Sequence, residues 1–190
     1  PKEGVYLGLE YESFCELSCI FFAEELIAKG YVNAITRAPS YILCDPVVSS
    51  YAEQLKRGSK LVTQTIAKGV TYTPDYIVWF NEKALGLFCW DMNSGKKWNS
   101  NLLVTQYENG LYKATIEVKP DFQRNSTTPK SVQSMKWLHQ RHGVFVNLFR
   151  PNHVFEKLFV PTKYMTTETG GARRFKFTPK TLSEYLKTTK

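Results

Sequence analysis

Apolar side chains recur at helical spacing near the start of the chain. Phe14, Leu17, Phe21 and Leu26 mark one face and Gly30 is a natural stop, which predicts a helix over residues 10–29. Short strands are expected at 32–37 and 41–45, split by Ala38-Pro39-Ser40. Residues 46–70 carry no clear period and predict no element. The run TYTPDYIVWF over 71–80 is β-branched and aromatic, hence a strand, with 85–90 as its expected antiparallel neighbour. Asn109-Gly110 is a strong hairpin signal leading into a strand over 111–119, which Pro120 ends. Residues 131–142 predict a helix with Val132, Met135 or Lys136, and Leu138 or His139 facing inward. VFVNLF over 144–149 reads as a strand buried on both faces. Thr178-Pro179, followed by Leu182, Tyr185 and Leu186, predicts a capped terminal helix with proline at its first position.

This order predicts an α/β fold, a mixed central sheet with helices against its faces. The 190 residues are enough for one core, and 43% hydrophobic content excludes a disordered chain. No apolar run is long enough to span a bilayer, so no membrane partner is expected. The opening Pro1-Lys2-Glu3-Gly4 does not read as a signal peptide, and a cytoplasmic protein is expected. The four cysteines at 15, 19, 44 and 89 form no CxxC pair, so packing is expected of them rather than a disulfide framework.

Charge changes the picture. The chain carries +8, distributed as −4 over residues 1–50, +2 over 51–118, and +5 over each of 119–150 and 151–190. Such an imbalance favours a polyanionic partner, nucleic acid above all, met mainly by the C-terminal half. The alternative is a solvated basic face without a partner.

Acidic residues in apolar strands narrow the chemistry. Asp75 interrupts an apolar run, and Glu117 and Lys119 are two apart, so they share a strand face that Val118 does not. A hard divalent cation would offset the cost of burying such carboxylates. Pro74-Asp75 with Glu117-Val118-Lys119 resembles the PD-(D/E)xK nuclease superfamily, with Glu16 of Ser13-Phe14-Cys15-Glu16 as its helix glutamate. YTPDYIV is similar to the corresponding segment of phage Holliday-junction-resolving endonucleases and TnsA-type transposon endonucleases. The resemblance extends from about Glu10 to Phe149. The 42 residues between Asp75 and Glu117 exceed the usual spacing, which an inserted hairpin around 90–109 would explain.

The resemblance implies a restriction-endonuclease-like core over residues 1–150 and a basic C-terminal extension, 151–190, packed on the same domain. It implies a Mg²⁺-dependent endodeoxyribonuclease, with Mn²⁺ able to substitute, phage-encoded or from a mobile element and acting on branched DNA. Asp75, Glu117 and the Val118 backbone carbonyl would hold the metal, and Glu16 would orient its shell or help a second ion. Lys119 would hold the attacking water or stabilise charge on the phosphate; beside two carboxylates it stays protonated, which favours the second role. Glu10 or Glu12 could replace Glu16, since Ser13-x-x-Glu16 is equally a capping box. Asp75 could be a turn residue, and Glu117 and Lys119 a surface pair.

For DNA, Gln133 and Lys136 could approach the scissile phosphate or be an ordinary solvent-facing pair. Arg124, Lys130 and Arg141 would supply backbone contacts. Arg173-Arg174-Phe175-Lys176-Phe177 interleaves cations and aromatics, suited to strand or junction contact, or else to protecting a strand edge. His139-x-x-His142 is a weak zinc set, the four tryptophans favour core or interface, and no glycine loop suggests ATP. A junction resolvase would act as a homodimer. Two other functions stay open: a TnsA-like nuclease subunit directed by phage or transposition proteins, and a non-catalytic DNA-binding or virion protein on a degenerate nuclease fold.

Overall fold

The computed structural model describes residues 3–121, 129–167 and 169–189, so Arg124 lies outside the described residues. Leu7 and Gly8, both at positive φ, turn the start into a hairpin of β1 (Gly4–Tyr6) and β2 (Leu9–Tyr11). Helix α1 (Phe14–Ala28) begins only after Ser13, whose hydroxyl caps the Glu16 amide. It is shorter than expected, because residues 9–11 belong to the hairpin. Its buried residues, Leu17, Cys19, Ile20, Phe22, Ala23 and Leu26 among them, surround most of the axis. Phe21 is half-buried instead of core, its ring edge-on to Tyr6 at 5.3 Å.

After α1 come β3 (Val32–Arg37), β4 (Tyr41–Cys44), β5 (Val47–Gln54), β6 (Ser59–Ala67), β7 (Val70–Tyr72) and β8 (Tyr76–Phe80). The expected strand over 71–80 is thus two strands with Pro74 and Asp75 at the break. Proline has no amide to give to a ladder. Strands β4 and β7 pair with each other, and β5 pairs with β6 as an arm standing clear of the core.

Strand β9 (Cys89–Asp91) follows, then β10 (Leu103–Glu108), β11 (Leu111–Val118), helix α2 (Pro129–His142), β12 (Val146–Phe149), and helices α3 (Pro151–Lys157) and α4 (Leu182–Thr188). The mixed sheet runs β3-β8-β11-β10-β9, with β12 also on β11. Strands β3, β8 and β11 are successively antiparallel, while β12 is parallel to β11. Helix α2 makes that parallel crossover possible. The expectation that 85–90 pairs with the strand before it is corrected. Both edges of β8 are taken, by β3 and β11, and β9 instead runs parallel to β10. Residues 90–109 accordingly form no inserted hairpin. The hairpin at Asn109-Gly110 joins β10 to β11, both residues at positive φ, 52° and 85°.

One cluster unites α1, the sheet and the C-terminal segment. Phe22 packs against Phe149, Phe155 and Phe159, and Phe88 against Phe159 and Tyr185. Residues beyond 150 therefore complete the core. Helix α4 is capped by Thr181 with Glu184 in a capping box, so the cap lies three residues after the expected Thr178. Among the described residues of α2 only Leu138 is fully buried, with Met135 half-buried and Lys136 and His139 exposed. This settles the open inward positions. All four cysteines are free thiols. No helix among the described residues is long and apolar enough to cross a membrane.

Candidate active site

Three segments meet at one end of the sheet. Asp75 precedes β8, Glu117 and Lys119 stand at the end of β11, and Glu16 lies in the first turn of α1. Antiparallel pairing puts Tyr76 opposite Ile116, and the ladder continues one step further, the Asp75 amide donating to the Ile116 carbonyl at 3.0 Å. The Asp75 carboxylate then turns back, its Oδ2 accepting the Val118 amide at 2.6 Å. Asp75 is thereby fixed against the residue between Glu117 and Lys119. The Val118 side chain points into the core, while Glu117 and Lys119 share the other face.

Glu117 is a buried carboxylate. Its Oε1 accepts from Lys119 Nζ at 2.5 Å and its Oε2 from the Tyr72 hydroxyl at 2.9 Å. Tyr72 has no counterpart in the sequence reading. Its signal was a phenol three residues before Asp75, where the chain returns towards the site. Burial, then the neighbouring carboxylate of Glu117, push its hydroxyl far above the usual tyrosine range, so it acts as a donor.

Burial, and next the Glu117 charge, push Asp75 up to about 7; Glu16 adds to this, while the Val118 amide and Lys119 oppose it. A poorly hydrated place by itself raises a carboxyl, and nearby negative charge raises it further. Glu16 is the third carboxylate here, and it also serves as a cap. It accepts from Glu12 N at 3.0 Å and from the Ser13 hydroxyl at 3.1 Å, and Arg37 approaches it at 3.8 Å. The capping reading of Glu16 is thus seen directly, and its charge also acts on Asp75. Glu10 and Glu12 contribute backbone here: the Glu10 carbonyl accepts from Tyr76 at 2.8 Å, and the Glu12 amide serves Glu16.

The donor set suits a hard cation: carboxylate oxygens with net negative charge, the kind that holds Mg²⁺ when waters and a substrate phosphate complete its shell. Among the described residues, no three His, Cys, Asp or Glu side chains stand grouped to hold a metal by themselves. Lys119 and Tyr72 occupy both oxygens of Glu117, so metal binding there requires the ammonium to exchange out.

The proposed DNA contacts fare unequally. Gln133, Lys136 and Lys130 are exposed on α2. Arg141 is committed elsewhere: its guanidinium bonds the Leu43 carbonyl at 3.2 Å and Asp45 Oδ2 at 2.6 Å, tying α2 to β4. His142 does the same through the Ile42 carbonyl at 2.7 Å. Arg173 is engaged within the fold. It lies over the rings of Phe14 and Tyr164 at 4.7 and 4.3 Å and donates to the Tyr164 carbonyl. Residues 173–177 are not a strand but alternate nonetheless, with Arg174 and Lys176 outward. Those two, with Arg150, His153, Asp121 and Glu156, line a cleft of about 850 Å³ whose wall also includes Cys15 and Pro120, next in sequence to Glu16 and Lys119.

Compared with known proteins, the chain matches no family model, no curated protein and no solved structure.

Proposed function

We propose that this chain is a metal-dependent DNA endonuclease of the PD-(D/E)xK kind, acting on branched or otherwise structured DNA. The reading is carried by one observation: the Asp75 carboxylate accepts the amide of Val118, the residue between Glu117 and Lys119. Support also comes from the order of elements, a helix with its glutamate, three antiparallel strands, a crossover helix and a fourth strand parallel to the third. A restriction-endonuclease-like core would have this order, here with β4–β7 and β9–β10 interposed. A cleft in which Arg150, Arg174 and Lys176 outnumber Asp121 and Glu156 favours a DNA backbone by its small positive excess.

In this reading Asp75, Glu117 and the Val118 carbonyl would hold Mg²⁺ or Mn²⁺, which supplies an acidified water and a Lewis acid. Glu117 and Asp75 orient the reacting water through their carboxylates. Lys119, released from Glu117, meets the charge growing on the phosphate. Tyr72 keeps Glu117 in place through its hydroxyl, and Glu16 adds negative charge that favours a cation.

A second reading is a non-catalytic DNA-binding protein on the same fold. It is favoured by the full engagement of Glu117 with Lys119 and Tyr72. One panel separates the two: single-stranded, duplex, flap and four-way DNA incubated with Mg²⁺ or Mn²⁺, with EDTA and Asp75→Ala as controls. Cutting that EDTA and the variant both abolish supports the nuclease. Binding without cutting on every substrate supports the second reading, and cutting that persists in EDTA removes the metal mechanism.

A further inference from the structure

The β5–β6 arm contributes nothing to the core. Every residue of β5 is exposed, and all of β6 except Val62. Val48, Leu61 and Ile66 show 53, 72 and 68% of their surface. A two-stranded hairpin alone in water is marginally stable at best. An arm left uncovered on both faces is therefore suited to a partner.

We propose that this arm grips duplex DNA by lying in its major groove, and so positions a DNA arm beside the candidate site. The choice of DNA as polyanion rests on the nuclease reading above; the rest follows from the arm. Lys56, Arg57, Lys60 and Lys68 against Glu53 give residues 47–68 a net charge of +3. Two such arms repel one another, which disfavours a second copy as occupant, whereas a phosphate backbone attracts them.

The shape agrees. B-DNA's major groove admits a two-stranded ribbon. Eight residues of strand reach about 26 Å, within one helical turn of roughly 34 Å. On one face Ser50, Gln54, Thr63 and Thr65 supply donors and acceptors, with Ser49 and Gln64 on the other and Lys56 and Arg57 in the turn at the tip.

The arm's root is fixed and leads into the site. Arg141 and His142 of α2 hold Ile42, Leu43 and Asp45 beneath it. On the returning side, β7 ends at Tyr72, which bonds Glu117. Asp75 follows three residues later. DNA held along β5 and β6 is thus anchored to the strand that carries the site.

The test uses the full chain in EDTA, so that binding is read apart from cleavage. Fluorescence anisotropy with a 30-bp duplex and a four-way junction gives Kd across a salt series. K56A/R57A/K60A should raise Kd at least ~10-fold and lower the salt slope by roughly three, with an unchanged circular dichroism melt. K56E/R57E should weaken binding further. Unchanged Kd and slope overturn the inference, as does a failure of the unaltered chain to bind DNA. So does a dimer in sedimentation that L61S/I66S converts to monomer with DNA affinity intact, since a second copy would then own the arm. A chain that binds through the arm yet never cuts keeps this inference and loses the nuclease reading.

Discussion

Asp75 and Val118 meet across the sheet, the Asp75 carboxylate accepting the Val118 amide at 2.6 Å, and this contact brings the acid before β8 to the acid–base pair ending β11. Asp75→Ala and Glu117→Ala should abolish cleavage while leaving DNA affinity within about twofold, because each removes a metal oxygen and no groove contact. Lys119→Ala should slow cleavage by about 10²–10³-fold, the usual cost of losing one aimed donor. Anisotropy beside a gel-based cleavage assay checks all three, and affinity falling in step with activity would indicate misfolding.

Stability should depend on pH through Asp75. Its folded pKa of about 7 lies above the ordinary aspartate value of 3.8, so between these limits the folded state binds more protons than the unfolded. The contribution is therefore fully present below about pH 4 and lost as pH rises through 7, amounting to up to about 4 kcal/mol. Urea denaturation without divalent ions should show Asp75→Asn gaining on the parent chain as pH rises from 5 to 8. Mg²⁺ should raise Tm more at pH 8 than at pH 6, because the ligand must be deprotonated. Parallel pH profiles for the two chains would contradict the first expectation.

Tyr72→Phe should lower stability by about 1.5–3 kcal/mol, the loss of a hydrogen bond to a charged group. It should also reduce cleavage more than DNA affinity, since Glu117 loses its anchor and the groove loses nothing. Denaturant midpoints and the split between KM and kcat read these separately.

Asn147 is buried in β12 and bonds the Val104 amide and carbonyl at 2.7 and 2.8 Å and the Thr115 carbonyl at 3.1 Å. It joins the point where β11 parts company with β10 and takes up β12. Asn147→Val should cost about 2–4 kcal/mol, leaving buried backbone groups of two strands unpaired. A thermal melt measures it.

What the chain declared in advance follows local physics. The hairpin at Asn109-Gly110 is legible because an Asn-Gly pair accepts positive φ twice in succession at little cost. Glu117 and Lys119 are legible as a pair because strand alternation is strict. The partner of 85–90 is not, since an apolar run announces burial but not which strand it lies beside. The arm stayed silent for the opposite reason: with neither face against the core, nothing imposes an alternating pattern on residues 47–67. The packing of Arg173 over Phe14 and Tyr164 is not legible, because nothing in its sequence neighbourhood points to rings that lie elsewhere in the chain. Asn147 did leave a trace, as the single polar residue in VFVNLF.

Helix α1 is roofed by side chains that arrive more than 130 residues later: Phe155 and Phe159 cover Phe22, and Thr162 donates its amide to Glu25 at 2.8 Å. A nascent polypeptide that has made α1 but not yet residues 155–162 therefore carries an uncovered phenylalanine surface, an invitation to chaperones. Closure of the core waits for those residues, and translation arrested before them leaves a sticky fragment instead of a smaller working version.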